Sequence, residues 1–229
     1  MSQSDSRLYV ALDLPNVAEA EALIEKLGDS VSSYKIGLQL LPIGGVAFGQ
    51  KLKALGKNVF YDFKLHDIGA TVEKATRSIA GLGADLLTVH ARPDVMQSAV
   101  VGRGDSHLKL LGVTVLTSLD KTALEAIGYH DTAETLVMRR VKQAIDAGMD
   151  GVVSSPLEAA AIRTVVPKDF LIVTPGIRMP DGEAGDQKRI STPRDALKNG
   201  ASHLVVGRPI TAAKDPRQAA LDILVQMKA

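Results

Sequence analysis

Short apolar runs alternate with longer amphipathic segments along the whole chain. The apolar runs are mostly unbroken, as is typical of parallel strands that are covered on both faces. Eight of them predict strands, at residues 8–14, 33–38, 59–65, 86–91, 110–116, 151–155, 171–174 and 203–207. The amphipathic segments predict helices at 17–27, 42–55, 70–82, 93–101, 132–147, 156–165, 193–198 and about 216–227.

Eight strand–helix units in 229 residues predict a single-domain (β/α)8 TIM barrel that spans residues 1–229. No Pro/Gly-rich or charged linker interrupts the alternation, so one domain is expected. An open, flavodoxin-like sheet is the alternative, although such sheets usually contain fewer units. In a barrel, functional side chains lie at the C-terminal ends of the strands and in the loops that follow.

The third predicted strand, residues 59–65, carries charged side chains inside an apolar run. Side chains alternate across a strand, so Asp62 and Lys64 should point to the same side, and Asp67 follows where the strand ends. Charges in such a place are costly unless they are paired. The cluster is therefore either a structural ion network or an active site. The apolar neighbours favour an active site, because charged pairs in a low-dielectric cleft are where pKa values are shifted for chemistry.

Other polar residues fall at predicted strand ends, where a barrel places its site. Asp13 ends the first strand, Lys35 lies in the second, and Thr117 with Ser118 ends the fifth. His66 and His90 also lie near strand ends. We interpret both as supporting or interfacial residues rather than as catalytic bases.

The loops after the seventh and eighth strands predict a phosphate site, which many such barrels build there. Arg178 follows a glycine turn, and Gly207 with Arg208 offers open backbone N–H groups and a second guanidinium, which matches phosphate bidentately. The polar segment 179–190 is long for a loop, and we interpret it as a lid. The alternative is two surface arginines and a tolerated insertion.

Composition excludes several function classes. The net charge is +1 and aromatic residues make up 3% of the chain, so neither nucleic acid nor a membrane surface is an expected partner. No apolar run approaches the roughly 20 residues of a membrane helix, and residues 1–7 lack the apolar core of a signal peptide. The absence of Cys fits a cytoplasmic protein. No His, Asp or Glu spacing resembles a metal site.

Several motifs together resemble the bacterial-type orotidine 5′-phosphate decarboxylases nearly end to end. They are VALDLPN (10–16), YKIGLQL (34–40), DFKLHDI (62–68), TVHA (88–91), VTVLTS (113–118), TPGIR (174–178), EAGDQKR (183–189) and VGRP (206–209). The D-x-K-x-x-D part alone is shared with related barrels such as the 3-keto-gulonate-phosphate decarboxylases. Its combination with the later motifs is highly specific.

The resemblance implies loss of CO₂ from orotidine monophosphate to give uridine monophosphate, in pyrimidine biosynthesis, without metal or organic cofactor. It implies a charged network of Lys35, Asp62, Lys64 and Asp67 at the reacting carbon. It further implies a homodimer in which Asp67 and Thr71 come from the neighbouring subunit.

The resemblance also assigns the remaining contacts to substrate. Asp13, with Lys35, resembles a ribose ligand, and Thr117 resembles a contact to the pyrimidine edge. The phosphate grip would comprise Arg178, Gln187, Gly207 and Arg208, with Gln187 also reaching the base. Two rival functions stay open: a metal-dependent sugar-phosphate decarboxylase or epimerase, and a non-catalytic phosphate-binding barrel.

Overall fold

The computed structural model describes residues 4–180 and 189–228. Eight parallel strands form a closed barrel in chain order. They are β1 (Leu8–Ala11), β2 (Ser33–Gly37), β3 (Asn58–Leu65), β4 (Leu86–His90), β5 (Lys109–Val113), β6 (Gly151–Val153), β7 (Leu171–Thr174) and β8 (His203–Val206). The helices are α1 (Val17–Leu27), α2 (Gly45–Ala54), α3 (Gly69–Ala80), α4 (Pro93–Arg103), α5 (Lys121–Ala126), α6 (Ala133–Asp146), α7 (Ala159–Arg163), α8 (Pro193–Lys198), α9 (Arg208–Thr211) and α10 (Pro216–Lys228).

The predicted barrel is confirmed, and the open sheet is wrong. The closing contact joins β1 to β8, where Val10 lies opposite Val206. An open sheet would leave the edges of these two strands unpaired. The closed ring instead brings all eight strand ends to one face of the molecule.

The element boundaries differ from the predicted ones at several places. The first strand ends at Ala11, so Asp13 lies in the loop that follows it. The helix predicted at 42–55 is a 3-10 turn followed by α2, because Gly44 has a φ of 103° and interrupts the helical path. The helix predicted at 156–165 begins only at Ala159. The prediction also omits the short helices α5 and α9, which lie in the loops after β5 and β8.

Two apolar cores support the barrel. The larger one packs the helices against the outer face of the strands. The smaller one fills the barrel interior with Tyr9, Ala11, Phe60, Leu86, Leu111, Val173 and Val205. Three of these residues, Ala11, Phe60 and Val205, also line the cavity described below, so the interior core forms part of its wall.

Candidate active site

A cavity of about 560 Å³ opens at the C-terminal ends of the strands. This volume lies within the range of about 300–1,000 Å³ that is usual for small-molecule sites. Its lining is Ala11, Asp13, Lys35, Gly37, Leu38, Gln39, Phe60, Asp62, Lys64, Val113, Val115, Leu116, Thr117, Ser118, Val153, Ser154, Pro175, Gly176, Arg178, Val205, Gly207, Arg208 and Thr211. The structure thus brings together Asp13, Lys35, Asp62, Lys64, Thr117, Arg178, Gly207 and Arg208 of the predicted site residues.

Asp62 lies between two ammonium groups on one side of the cavity. Its Oδ1 is 2.9 Å from Nζ of Lys64, and its Oδ2 is 3.3 Å from Nζ of Lys35. The hydroxyl of Thr88 donates a third hydrogen bond, of 2.9 Å, to Oδ1. The side chains of Asp62 and Lys35 are 14% and 7% exposed, so this alternating set of charges is largely shielded from water.

The charges of this set stabilise one another. Burial on its own raises the pKa of the Asp62 carboxyl, but the neighbouring Lys35 and Lys64 outweigh it and hold that pKa below its ordinary value. Burial likewise lowers the pKa of Lys35, but the carboxylates of Asp62 and Asp13 reverse the direction and raise it. Both groups are therefore charged at neutral pH.

Lys64 adopts a backbone conformation that is unusual for its residue type. Its φ is 48°, which makes it the one non-glycine residue with positive φ among residues 4–180 and 189–228. The pairing of β3 with β4 shifts register between Tyr61 and Leu65, and the Lys64 N–H donates a 3.0 Å hydrogen bond to Oγ1 of Thr88. Left-handed backbone at a lysine is strained, and such strain is concentrated at functional sites.

The prediction that Asp62 and Lys64 share one side is confirmed by their ion pair. Lys64 lies within the register shift of β3 against β4, and its ammonium contacts the Asp62 carboxylate there.

The wall beside Lys35 depends on a glycine. Nζ of Lys35 lies 3.1 Å from Oδ1 of Asp13, so one ammonium contacts both Asp13 and Asp62. A Cβ at Gly37 would lie 2.7 Å from Oδ1 of Asp13 and 2.9 Å from Nζ of Lys35. Any side chain at this position would therefore displace the ion pair.

Arg178, Gly207 and Arg208 line the cavity beside the ends of β7 and β8. The two residues that flank the predicted lid segment, Arg178 and Ser191, are hydrogen-bonded through their backbones. The Arg178 N–H donates to the Ser191 carbonyl at 2.9 Å, and the Ser191 N–H donates to the Gly176 carbonyl at 3.2 Å. Gln187 lies outside the described residues.

Two predicted site residues lie away from this cavity. Asp67 and Thr71 are both exposed, and neither lines it. The carboxylate of Asp67 accepts a 2.6 Å hydrogen bond from the Ile68 N–H, and Ile68 itself is 71% exposed. A shallow depression formed by His66, Asp67, Ile68, Gly69, Arg92 and Asp94 surrounds this carboxylate.

The two histidines near the site are stacked on each other, with ring centroids 4.6 Å apart. An Arg92 guanidinium nitrogen lies 3.2 Å from Nε2 of His66. Burial, together with the electrostatic influence of the neighbouring His66, Arg140 and Lys64, lowers the pKa of His90. Neither histidine lines the cavity, and the supporting role of both stays a prediction.

Sequence reasoning missed several residues of the site. Thr88 is fully buried and bonds both Asp62 and the Lys64 backbone, yet a threonine in a strand looks like any other β-branched residue. Ser154 lines the cavity directly after β6, where no charged residue marks the strand end, and Thr211 lines it three residues after the predicted Arg208. Gly37 could have been found from its position two residues after Lys35, on the same face of β2.

Within the part of the chain that the structure describes, no group of three or more His, Asp or Glu residues is arranged to hold a metal ion. The same part contains no helix with the length and apolar character needed to cross a bilayer.

The fold and its cavity define a class: the (β/α)8-barrel enzymes, whose sites lie at the C-terminal ends of the strands. Comparison with known proteins narrows this class. The sequence profile of the orotidine 5′-phosphate decarboxylase / HUMPS family matches residues 6–223, and the chain belongs to this family.

Named relatives agree with this membership. A protein of Caulobacter sp. (strain K31), named orotidine 5′-phosphate decarboxylase, is 58% identical over 224 residues that cover 98% of each chain. A protein of the same name from Caulobacter vibrioides (strain NA1000 / CB15N) is 57% identical over 228 residues, again covering 98% of each chain. The crystal structure of orotidine 5′-phosphate decarboxylase from Lactobacillus acidophilus matches with a TM-score of 0.84 and 37% identity, over 97% of this chain and 99% of that one.

Proposed function

We propose that this protein is an orotidine 5′-phosphate decarboxylase, which converts orotidine monophosphate to uridine monophosphate and CO₂ in pyrimidine biosynthesis. The observation that carries the proposal is the Lys35–Asp62–Lys64 array, in which a shielded carboxylate lies 3.3 and 2.9 Å from two ammonium groups in the cavity. Family membership supports the same reaction. The whole of residues 1–229 forms the catalytic domain, and the lack of Cys fits a cytoplasmic location.

The chemistry is demanding because the bond between the ring carbon and the carboxylate breaks with both electrons left on the ring carbon. Only groups that favour this carbanion more than the starting carboxylate speed the step. Asp62 lies near the substrate carboxylate and disfavours it. Lys64 stabilises the carbanion and then donates a proton from Nζ to the ring carbon.

Electrostatics set the size of each contribution. Two unit charges about 4 Å apart interact by about 4 kcal/mol at an effective dielectric of about 20, which corresponds to roughly three orders of magnitude in rate. One such pair is insufficient for this reaction, so the preorganised set of Lys35, Asp62 and Lys64 acts together.

The other cavity residues hold the nucleotide. Asp13, paired with Lys35, accepts hydrogen bonds from the ribose hydroxyls. Thr117 contacts the edge of the pyrimidine, while Arg178, Gly207 and Arg208 bind the phosphate with Gln187. These contacts place the ring carbon at Lys64, and binding of the distant phosphate contributes to the chemical step.

Spectrophotometry tests the proposed reaction directly. We expect the purified protein to remove the ultraviolet absorbance of orotidine monophosphate at the same rate with and without a chelator. Activity that disappears with chelator, or appears only with sugar phosphates, would instead indicate the sugar-phosphate decarboxylase alternative. Thermal stabilisation by the nucleotide without turnover would indicate a non-catalytic phosphate-binding barrel.

Replacing Arg208 tests the phosphate grip. We expect Arg208→Ala to lower kcat/KM for orotidine monophosphate by roughly 100-fold or more, because two charge-assisted hydrogen bonds to phosphate are lost. Turnover of orotidine, which lacks the phosphate, should change by less than about threefold. Steady-state kinetics on both substrates measure the two effects.

Arg217→Ala is the matched control for this variant, because Arg217 pairs with Asp29 at 2.7 Å and does not line the cavity. Unchanged kinetics of Arg208→Ala on orotidine monophosphate would show that the phosphate binds elsewhere.

The proposed enzyme is a homodimer in which Asp67 and Thr71 complete the site of the neighbouring subunit. The exposed carboxylate of Asp67 and the 71% exposure of Ile68 beside it support this arrangement, since both would be covered by a partner. Under twofold symmetry each subunit then donates the same loop to the other.

Mixing inactive variants tests the shared site. Lys64→Ala and Asp67→Ala are each expected to be nearly inactive alone. Unfolding and refolding them together in equal amounts should restore about a quarter of wild-type activity, because half of the dimers are mixed and one site in each has both residues. If mixing restores no activity while both proteins form dimers, Asp67 acts within its own chain or not at all.

A further inference from the structure

Arg189 lies near the end of the predicted lid segment, residues 179–190, yet its guanidinium is buried against residues that line the cavity. The side chains of Arg189 and its partner Glu158 are 13% and 9% exposed. Nη1 of Arg189 donates to Oε1 of Glu158, and Nη2 donates to the carbonyls of Leu116 at 3.0 Å and Val115 at 3.3 Å. One side chain therefore connects the loops that follow β5, β6 and β7.

The contacts of this ion pair reach two residues that line the cavity. The Leu116 carbonyl belongs to the peptide group that joins Leu116 to Thr117, so its hydrogen bond to Arg189 fixes the orientation of the Thr117 backbone. On the other side, the hydroxyl of Ser154 donates to Oε2 of Glu158 at 3.1 Å. Thr117 and Ser154 both line the cavity.

We propose that Arg189 and Glu158 form a positioning pair that holds Thr117 and Ser154 in place as the wall of the cavity that contacts the pyrimidine base. The inference rests on the proposed function, in which Thr117 contacts the base. Neither Arg189 nor Glu158 lines the cavity, so the pair acts through its neighbours. Removal of one partner would leave the other charge buried and unpaired, which makes the pair strongly interdependent.

Comparing a ligand that has the pyrimidine base with one that lacks it distinguishes a positioning role at the base from a general structural role. We expect Arg189→Ala to weaken binding of uridine monophosphate by at least about tenfold, because the loop that carries Thr117 loses its anchor. Binding of ribose 5-phosphate, which lacks the base, should change by less than about twofold. Isothermal titration calorimetry of the full chain measures both affinities.

Two further variants keep the test decisive if Arg189→Ala folds poorly. Arg189→Lys retains the positive charge beside Glu158, but an ammonium lacks the two separate nitrogens with which the guanidinium bonds Glu158 and the Leu116 carbonyl at the same time. We expect it to show the same selective loss for uridine monophosphate, at a smaller magnitude. Glu158→Gln should also weaken uridine monophosphate selectively, because the charge that holds the guanidinium is gone.

Arg163→Ala is the matched control. Like Arg189, Arg163 donates hydrogen bonds to backbone carbonyls, those of Phe170 at 3.0 Å and Gly200 at 3.0 Å. It does not line the cavity. Its replacement should leave both affinities within about twofold.

Equal weakening of both ligands by the Arg189 variants, or no weakening of uridine monophosphate, would overturn the inference. These outcomes differ from failure of the proposed function, in which the wild-type protein itself would neither decarboxylate orotidine monophosphate nor prefer uridine monophosphate to ribose 5-phosphate.

Discussion

Lys64→Ala is expected to lower kcat for orotidine monophosphate by at least about a thousandfold, since it removes the ammonium that we propose stabilises the carbanion and then donates the proton. The ammonium of Lys64 lies 2.9 Å from Asp62, in the cavity and on a strained backbone. Binding of uridine monophosphate should stay within about tenfold of wild type, because the ring carbon of the product carries no negative charge for Lys64 to stabilise. Single-turnover kinetics and calorimetry measure the two quantities.

Lys53→Ala is a suitable control for this variant. Lys53 forms an ion pair with Asp85 at 2.8 Å, and neither residue lines the cavity. This change removes a lysine that, like Lys64, is paired with an aspartate, but it lies outside the cavity where the reaction is proposed to occur. We therefore expect kcat to stay within about twofold of wild type. Near-normal turnover by Lys64→Ala would refute the assigned role.

The fold could be predicted from the sequence because its signal is repeated along the chain. Each βα unit shows the same unbroken apolar run, and closure of the barrel follows from eight such units. The barrel in turn explains why residues as distant in sequence as Asp13 and Arg208 line one cavity. The boundaries were less predictable, because the strands end where hydrogen-bonded partners end rather than where apolar residues do.

The parts that escaped prediction depend on contacts between distant residues. No local pattern signals that Lys64 adopts a φ of 48°, which occurs within the register shift between β3 and β4. Arg189 stands in a polar stretch and resembles a solvated lid residue until its partner Glu158, 31 positions earlier, is placed beside it. Thr88 likewise can be recognised as a site residue only from its hydrogen bond to the Asp62 carboxylate.

Asp62→Asn is the variant with the second largest expected effect, and it separates two ways in which a carboxylate could act. The asparagine keeps the shape of the side chain but removes the charge between Lys35 and Lys64. We expect kcat to fall by about a thousandfold, because one charge pair of the array is worth roughly that much.

The same change should also alter how the stability of the protein depends on pH in the acidic range. The pKa of Asp62 is lowered in the folded protein, so its ionised form stabilises the fold above its ordinary pKa of 3.8, and this contribution is lost as the pH falls through the folded-state pKa. Asp62→Asn should therefore be less stable than wild type at neutral pH, and the difference should shrink in acid. Thermal unfolding across this pH range measures it.

The affinities of Asp62→Asn for the two nucleotides show whether Asp62 repels the substrate carboxylate. If Asp62 repels the substrate carboxylate, Asp62→Asn should bind orotidine monophosphate more tightly than wild type does, while its affinity for uridine monophosphate stays nearly unchanged. Asp85→Asn is the matched control, because the Asp85 carboxylate accepts a 2.7 Å hydrogen bond from the Val59 N–H at the other end of β3, away from the cavity. Parallel weakening of both nucleotides by Asp62→Asn would mean that the carboxylate only holds the two lysines in place. Tighter substrate binding with slower turnover would mean that part of the catalytic effect comes from repulsion in the bound substrate, relieved as CO₂ departs.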